Sequence, residues 1–160
     1  MILSKEIAAK KIRRMAMQVA ERNHNQQELV LIGIKENGIV IAEKLASYLK
    51  EVFQGSLQIV SLSLDKKKPG AIQLSEAIVL DGKTVILIDD VANSGRTMLY
   101  ALKPLLEYYP ASIQTLALVE RTHKLFPIAM DYVGHSVSTT AAETIVVEVT
   151  SKEVEGAYIK

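Results

Sequence analysis

Thr84-Val85-Ile86-Leu87-Ile88-Asp89-Asp90-Val91-Ala92-Asn93-Ser94-Gly95-Arg96-Thr97 decides how this chain is read. An apolar run of strand type, Val85 to Ile88, ends in two adjacent carboxylates. A short loop of small and polar residues follows, and a helical spacing begins at Met98. Backbone N–H groups at the start of a helix have no partner within it, and the helix dipole favours an anion there. Ser94 and Thr97 add hydroxyls, and Gly95 lets the backbone close around a phosphate. Asp89 and Asp90 beside such an anion hole suit a ligand that carries both hydroxyls and a phosphate, such as a ribose 5-phosphate, with a divalent cation nearby. A solvated strand end would account for an Asp-Asp pair alone. It does not account for the apolar run before the pair together with Ser-Gly-x-Thr behind it.

On either side of this stretch the pattern alternates between helix and strand. Residues 4–22 have amphipathic helical spacing, with Ile12, Met15, Ala16 and Val19 on one stripe. Leu29 to Ile34 is a continuous apolar run, the mark of a strand buried on both faces. Residues 38–52 return to helical spacing, and Gln58 to Leu64 reads as a strand. Lys66-Lys67-Lys68-Pro69-Gly70 is a loop, residues 71–80 hold a weak strand, and Asp81-Gly82 is a turn. Residues 97–108 predict a helix that Pro104 should kink or split. Ile113 to Val119 is another buried strand, and residues 125–149 read as irregular pieces ending in a strand from Thr144 to Val149. This order predicts an α/β fold: a mostly parallel twisted sheet flanked by helices, in one domain spanning residues 1–160. Ligands of such sheets bind beyond the carboxyl ends of the strands. Asp89-Asp90, the loop after Ile34 and the residues after Val119 all fall at that edge.

Composition excludes several other classes. The formal net charge is +1, so bulk charge demands neither nucleic acid nor membrane. Cysteine is absent, which excludes disulfides and thiolate chemistry and fits a reducing cytoplasm. No apolar stretch approaches the ~18 residues of a membrane span, and Lys5, Lys10 and Lys11 interrupt any signal-peptide core. Tryptophan is absent and aromatics are few, which disfavours a stacking platform for single strands. His24, His123 and His135 have no metal-ligand spacing.

The Asp-Asp loop resembles the phosphoribosyl-pyrophosphate signature of type I phosphoribosyltransferases. Further pieces resemble the pyrimidine-operon attenuator/uracil phosphoribosyltransferase family. Arg121, His123, Lys124, Pro127 and Ile128 match its Asp-Arg-Gly-His-Arg-Glu-Leu-Pro-Ile segment, and Asp131-Tyr132-Val133-Gly134 matches its Asp-Tyr-Ile/Val-Gly. Glu21-Arg22-Asn23 and Leu31 to Lys35 also fit, so the resemblance runs over residues 8–150. It implies transfer of ribosyl 5-phosphate from phosphoribosyl pyrophosphate to a nucleobase, uracil or a purine, with Mg²⁺ and release of pyrophosphate. It assigns Asp89 and Asp90 to the ribose hydroxyls and the metal, and Asn93, Ser94, Gly95, Arg96 and Thr97 to the 5-phosphate. Gly33-Ile34-Lys35-Glu36-Asn37-Gly38 resembles the pyrophosphate loop, with Lys35, Glu36 and Asn37 facing the leaving group. Arg121 falls near the pyrophosphate and base end. Tyr132 and Val133 resemble a base-reading hood, placed at residues 121–150 with part of the N-terminal segment. For Tyr132 a half-buried core aromatic is an equally good reading. A homodimer through the stripes on residues 8–20 and 39–52 is implied as well.

The chain also departs from the family. The loop that carries Tyr-Arg-Asp-Asp there is markedly shorter here and reads Leu64-Asp65-Lys66-Lys67-Lys68-Pro69-Gly70. Such a loop closes over the reacting centre and excludes water. Its lysines are either charge donors or a solvated turn. Ala129 stands where the family has Arg, and His135 where it has Lys, on a face that family regulators use for RNA. Lys10, Lys11, Arg13 and Arg14 are the best candidates for an RNA contact, although a solvated helix face explains them more simply.

Overall fold

In the computed structural model, which describes residues 1–160, the continuous apolar runs become the centre of a six-stranded sheet. Those strands are β2 (Glu28–Ile34), β3 (Ser56–Ser63), β4 (Gln73–Leu74), β5 (Thr84–Ala92), β6 (Ser112–Arg121) and β7 (Tyr132–Val137), following β1 (Leu3–Ser4) in the chain. The sheet order is β4-β3-β2-β5-β6-β7, with every pair parallel except β3 and β4. Successive side chains of a strand point to opposite faces, so β2 and β5 feed two cores. Leu29, Leu31, Ile86 and Ile88 pack under α1 (Lys5–Arg22) and α2 (Asn37–Val52). Val30, Ile32, Val85 and Leu87 pack on the other face against Met98, Ala101 and Leu105 of α3 (Arg96–Leu105).

Local chemistry sets the helix ends. The Ser4 hydroxyl accepts the Ile7 N–H and starts α1. Pro104 does not split α3. It occupies the last turn, and the helix stops at Leu105, so the ring lies where the chain is already leaving helical geometry. No helix is long and apolar enough to cross a membrane.

Two findings revise the sequence reading of the C-terminal third. Residues Tyr132–Val137 are a full member of the main sheet, paired in parallel with β6 from Leu116↔Tyr132 to Arg121↔Val137. The small second sheet is instead built from β1, β8 (Ile145–Val149) and β9 (Val154–Ile159), in the order β1-β9-β8. The N-terminus thus joins the last strand by antiparallel pairing at Leu3↔Ala157. This sheet takes β8 from residues 121–150 and β1 from the N-terminal segment, adds β9, and forms the hood over the carboxyl edge.

Candidate active site

The acidic pair is not at a strand end. Strand β5 continues to Ala92 because it pairs with β6 through Val91↔Val119 and Ala92↔Glu120. Asp89 and Asp90 are therefore 1 % and 3 % exposed. Asp89 takes the Asp90 N–H on Oδ1 at 2.9 Å, and Asp90 Oδ2 accepts from Asn37 Nδ2 at 2.8 Å. Burial, reinforced by the Asp90 charge, holds the Asp89 carboxyl well above the usual carboxylate range. One cation faces both groups. Lys66 Nζ lies 2.9 Å from Asp89 Oδ1 and 3.4 Å from Asp90 Oδ1. Burial lowers the Lys66 pKa, but the two aspartates together outweigh it and the net shift is upward.

Beside the pair lies a cavity of about 210 Å³, lined by Lys66, Val91, Ala92, Asn93, Ser94, Gly95, Thr97 and Met98. Its floor is the N-terminus of α3, where first-turn N–H groups lack helical partners. Gly95 caps this helix at φ +85°, a backbone region that disfavours side chains. A Cβ there would also meet Ile128 Cγ2 at 2.6 Å. The loop is fastened from behind, because the Ser94 carbonyl accepts the Leu125 and Phe126 N–H groups at 2.9 and 3.0 Å. On the other side of Lys66 a cavity of about 370 Å³ is lined by Lys35, Glu36, Asn37, Leu64, Asp65 and Lys66. Gly38 opens the helix behind it, and a Cβ at Gly38 would meet the Ile88 carbonyl at 2.6 Å. Glycine here lets α2 sit directly on β5 beside Asp89.

Two asparagines tie the hood to this edge. Asn37 Nδ2 donates to the Val147 carbonyl at 3.2 Å as well as to Asp90. Asn93 donates to the Ile145 carbonyl at 3.1 Å and accepts the Ile145 N–H at 3.3 Å. Their side chains are therefore largely committed within the protein.

The structure brings Asp89, Asp90, Asn93, Ser94, Gly95, Thr97, Lys35, Glu36 and Asn37 to one place. The remaining candidates line neither of these two cavities. Arg96 turns outward, with its guanidinium 5.1 Å from the centroid of Phe126. Arg121 donates to the Glu143 carbonyl in the connection to the hood, and its Nε is buried without a partner. The base-reading assignment of Tyr132 and Val133 is corrected by register. Leu116↔Tyr132 and Ala117↔Val133 place both at or below the level of Asp89, not beyond it. Tyr132 is 4 % exposed, and its hydroxyl donates to Gln114 Oε1 at 2.5 Å and accepts from Asn23 Nδ2 at 3.3 Å. Burial chiefly pushes its phenol pKa up. The Val133 and Gly134 carbonyls accept from Arg14 Nη2 at 3.0 and 2.9 Å. Asp131 takes the Thr115 N–H at 2.9 Å and pairs with Arg22 at 3.0 Å. The Asp-Tyr-Val-Gly match is thus a joint between α1, β6 and β7.

Two functional candidates were missing from the sequence assignment. Lys66 was indistinguishable from its neighbours in a charged turn; its signal was its position just after β3, next to β2 in the sheet. Glu120 is the penultimate residue of β6 and is bonded to Lys124 Nζ at 2.8 Å and to Ser136 Oγ at 2.9 Å. Nothing in its sequence context marks it. The residues fit a divalent cation brought in by a phosphate ligand. Lys66 marks a point from which one cation reaches both carboxylates, and Mg²⁺ commonly uses one or two carboxylates with substrate oxygens. No group of three His, Cys, Asp or Glu side chains forms a cage for a metal by itself.

Comparison with known proteins agrees with this geometry. The family model described as phosphoribosyl transferase domain matches residues 1–153. The bifunctional protein PyrR of Actinobacillus pleuropneumoniae is 36 % identical over 154 residues, covering 90 % of this chain and 86 % of that protein. The bifunctional protein PyrR of Enterococcus faecalis is 34 % identical over 149 residues, covering 88 % and 84 %. Among solved structures, the hypoxanthine phosphoribosyltransferase of Trypanosoma cruzi superposes with a TM-score of 0.82 at 16 % identity, covering 99 % of this chain and 94 % of that one. A hypoxanthine-guanine phosphoribosyltransferase from Bacillus anthracis gives 0.76 at 20 % identity, covering 98 % and 96 %. At these identities the structural matches speak for the fold. The family match and the curated relatives place the chain in the phosphoribosyltransferase family.

Proposed function

We propose that this phosphoribosyltransferase moves ribosyl 5-phosphate from phosphoribosyl pyrophosphate to a nucleobase, with uracil the first candidate and a purine the second. The observation that carries the reading is the pair of polar cavities flanking one buried acidic pair. The 5-phosphate sits over Ser94, Gly95 and Thr97, and the pyrophosphate sits at Lys35, Glu36 and Asn37. Asp89 and Asp90 would hold the ribose hydroxyls and, together with oxygens of the ligand, a Mg²⁺. That cation supplies charge to the leaving group.

The bond between C1 of the ribose and the pyrophosphate oxygen breaks, and a bond from C1 to a ring nitrogen of the base forms. The base gives up its N–H proton to solvent, and pyrophosphate leaves with the bonding pair. The ring oxygen supports the positive centre between the two events, so no protein nucleophile is required. The protein contributes position and preset electrostatics. Arg121, with its buried unpartnered Nε, belongs to the base end of the site in this proposal. A pyrophosphate-release assay over uracil, cytosine, orotate, hypoxanthine, guanine, xanthine and adenine tests the reading. Release with one base and Mg²⁺ is the expected result; no release with any of them rejects it.

A second reading, a nucleotide-sensing regulator that binds RNA, rests on Lys11 and Arg13, the α1 cations with neither an ion pair nor a side-chain hydrogen bond. It is the weaker one. Arg14 is committed to β7 carbonyls, Lys10 pairs with Glu6 at 3.1 Å, and Lys124 pairs with Glu120. A homodimer belongs to the main proposal, because Met17 and Val52 remain exposed on adjoining faces of α1 and α2. Sedimentation as a 17.6 kDa species at high concentration would remove it.

A further inference from the structure

Lys66 stands at the point where the two cavities meet. It lines the cavity over residues 93–98 on one side and the cavity of residues 35–37 on the other. Its ammonium touches Asp89 at 2.9 Å and Asp90 at 3.4 Å, and no other cation contacts either carboxylate. Lys67 and Lys68 follow it in sequence and make no ion pair at all. The turn that presents Lys66 is held by Asp65, whose Oδ1 accepts the Lys67 and Lys68 N–H groups at 2.9 and 3.3 Å. One lysine of the three is thus aimed inward and two are left in water.

A sugar that joins a phosphate in one cavity to a pyrophosphate in the other must pass this ammonium. A metal ion bound to both carboxylates must occupy nearly the same place. Two cations at that separation repel strongly in a partly buried site, so the two occupants exclude one another. We propose that Lys66 is a built-in, displaceable counter-ion of Asp89 and Asp90, which keeps free divalent cations off the pair until a phospho-sugar carries one in. Lys66 is a positioning residue, acting through the aspartates. Its long flexible stem and its 39 % exposed side chain let the ammonium return to water when it is displaced. The shortened loop therefore still controls access to the reacting centre, with one charge in place of a closing flap. The identity of the incoming ligand rests on the phosphoribosyl-transfer reading, whereas the exclusion of the free cation does not.

The experiment is a calorimetric titration of the full chain with Mn²⁺ alone. Lys66→Met should bind Mn²⁺ at least roughly tenfold more tightly than the parent, a difference well within calorimetric range. Lys66→Arg keeps the charge and should match the parent. Lys66→Met combined with Asp89→Asn and Asp90→Asn should lose the new site. Equal Mn²⁺ affinity in parent and Lys66→Met overturns the proposal. A second measurement needs no variant: the ¹⁵N-labelled Lys66 ammonium resonance of the parent should hold its place in Mg²⁺ alone and move when phosphoribosyl pyrophosphate is added with it. Displacement by millimolar Mg²⁺ alone would also overturn the proposal. A negative pyrophosphate-release screen with Mn²⁺ exclusion intact would reject the transfer reading and leave the counter-ion standing.

Discussion

Two loops at the carboxyl edge of the sheet carry the proposed chemistry, and they are held in opposite ways. The loop after β5, residues 93–95, is built into the fold. Its Ser94 carbonyl anchors two N–H groups of the 122–128 segment, Ile128 fills the space beside Gly95, and Asn93 is bonded to the hood. The loop after β3, residues 64–70, is tied to the rest of the site by a single long side chain. In the proposed reading the first is a preformed anion hole, which spends no binding energy on ordering itself. The second is an electrostatic latch, which can let go. A site that fixes the phosphate and leaves its cation exchangeable can admit substrate and metal together.

The largest expected effect breaks the part that both loops serve. Asp89→Asn with Asp90→Asn removes the latch's partners and the proposed ribose and metal ligands at once. Turnover should fall roughly 10³-fold or more, the scale of losing preset electrostatic groups. Melting temperature should hold or rise, because two adjacent buried carboxylates repel and Lys66 is free to re-enter water. Unfolding of the double variant, or unchanged binding of phosphoribosyl pyrophosphate with Mg²⁺, would sink the assignment.

Next comes the rigid loop itself. Gly95→Val forces a β-branched residue into a left-handed backbone and pushes its Cβ into Ile128. The strain and the overpacking together should cost about 2–4 kcal/mol. Urea titration of the variant checks this, and a midpoint like the parent's would mean the loop is softer than described. Sequence alone suggests Gly95 as a requirement of the ligand. Its neighbours show a requirement of the fold, so this variant is a stability test and cannot test phosphate placement.

What was legible in the sequence follows the same division. Strands buried on both faces must be continuously apolar, so β2, β5 and β6 announced themselves. The small and hydroxyl-bearing residues after β5 announced a loop that opens α3 and lines a cavity, the geometry on which the proposed phosphate site rests. Strand β7 was hidden because its Tyr132 is satisfied by Gln114 and Asn23, partners far away in the chain. Strand β9 was hidden because Val154–Ile159 pairs with both ends of the chain's course, β1 and β8. Lys66 was hidden because three consecutive lysines have the same sequence context, and only the place of the acidic pair tells them apart.

Tyr132 offers the next test. Tyr132→Phe leaves Gln114 still bonded to Asn23 and should cost about 1–2 kcal/mol of stability. Base affinity should not change, since the ring lies against α1 rather than the ligand. Burial raises the native pKa of this phenol, so the native state keeps a proton that the unfolded state releases at about pH 10. Parent stability therefore falls as pH rises through and beyond about 10, and the Tyr132→Phe variant lacks that slope. The gap between the two in denaturant titrations should narrow above that pH. A gap that widens would reverse the assignment of the hydroxyl as a buried donor.

Thr97→Ala sharpens the rigid side. The Thr97 hydroxyl lines the cavity and has no partner in the protein, so its removal leaves the loop in place. Affinity for ribose 5-phosphate should drop by about 1.5 kcal/mol, one hydrogen bond to a charged group at the low end of its range. Calorimetry with an unchanged melting temperature would assign the loss to the ligand rather than the fold.

The smallest effect is the most discriminating for the latch. Lys67→Ser with Lys68→Ser removes two of the three loop charges and none of the contacts to Asp89 or Asp90. Both side chains are exposed and unpaired, so stability should move by less than about 0.5 kcal/mol. If the loop acted only as a diffuse positive field, this double change would raise Mn²⁺ affinity at least as much as Lys66→Met does. Screening at physiological salt, with a Debye length of about 8 Å, leaves exposed charges little reach, whereas the Lys66 contact is direct and partly buried. Mn²⁺ affinity in Lys67→Ser/Lys68→Ser should therefore stay within about twofold of the parent while Lys66→Met departs from it. Equal effects of the two changes would dissolve the contrast between latch and field, and with it the claim that a single side chain governs this edge of the sheet.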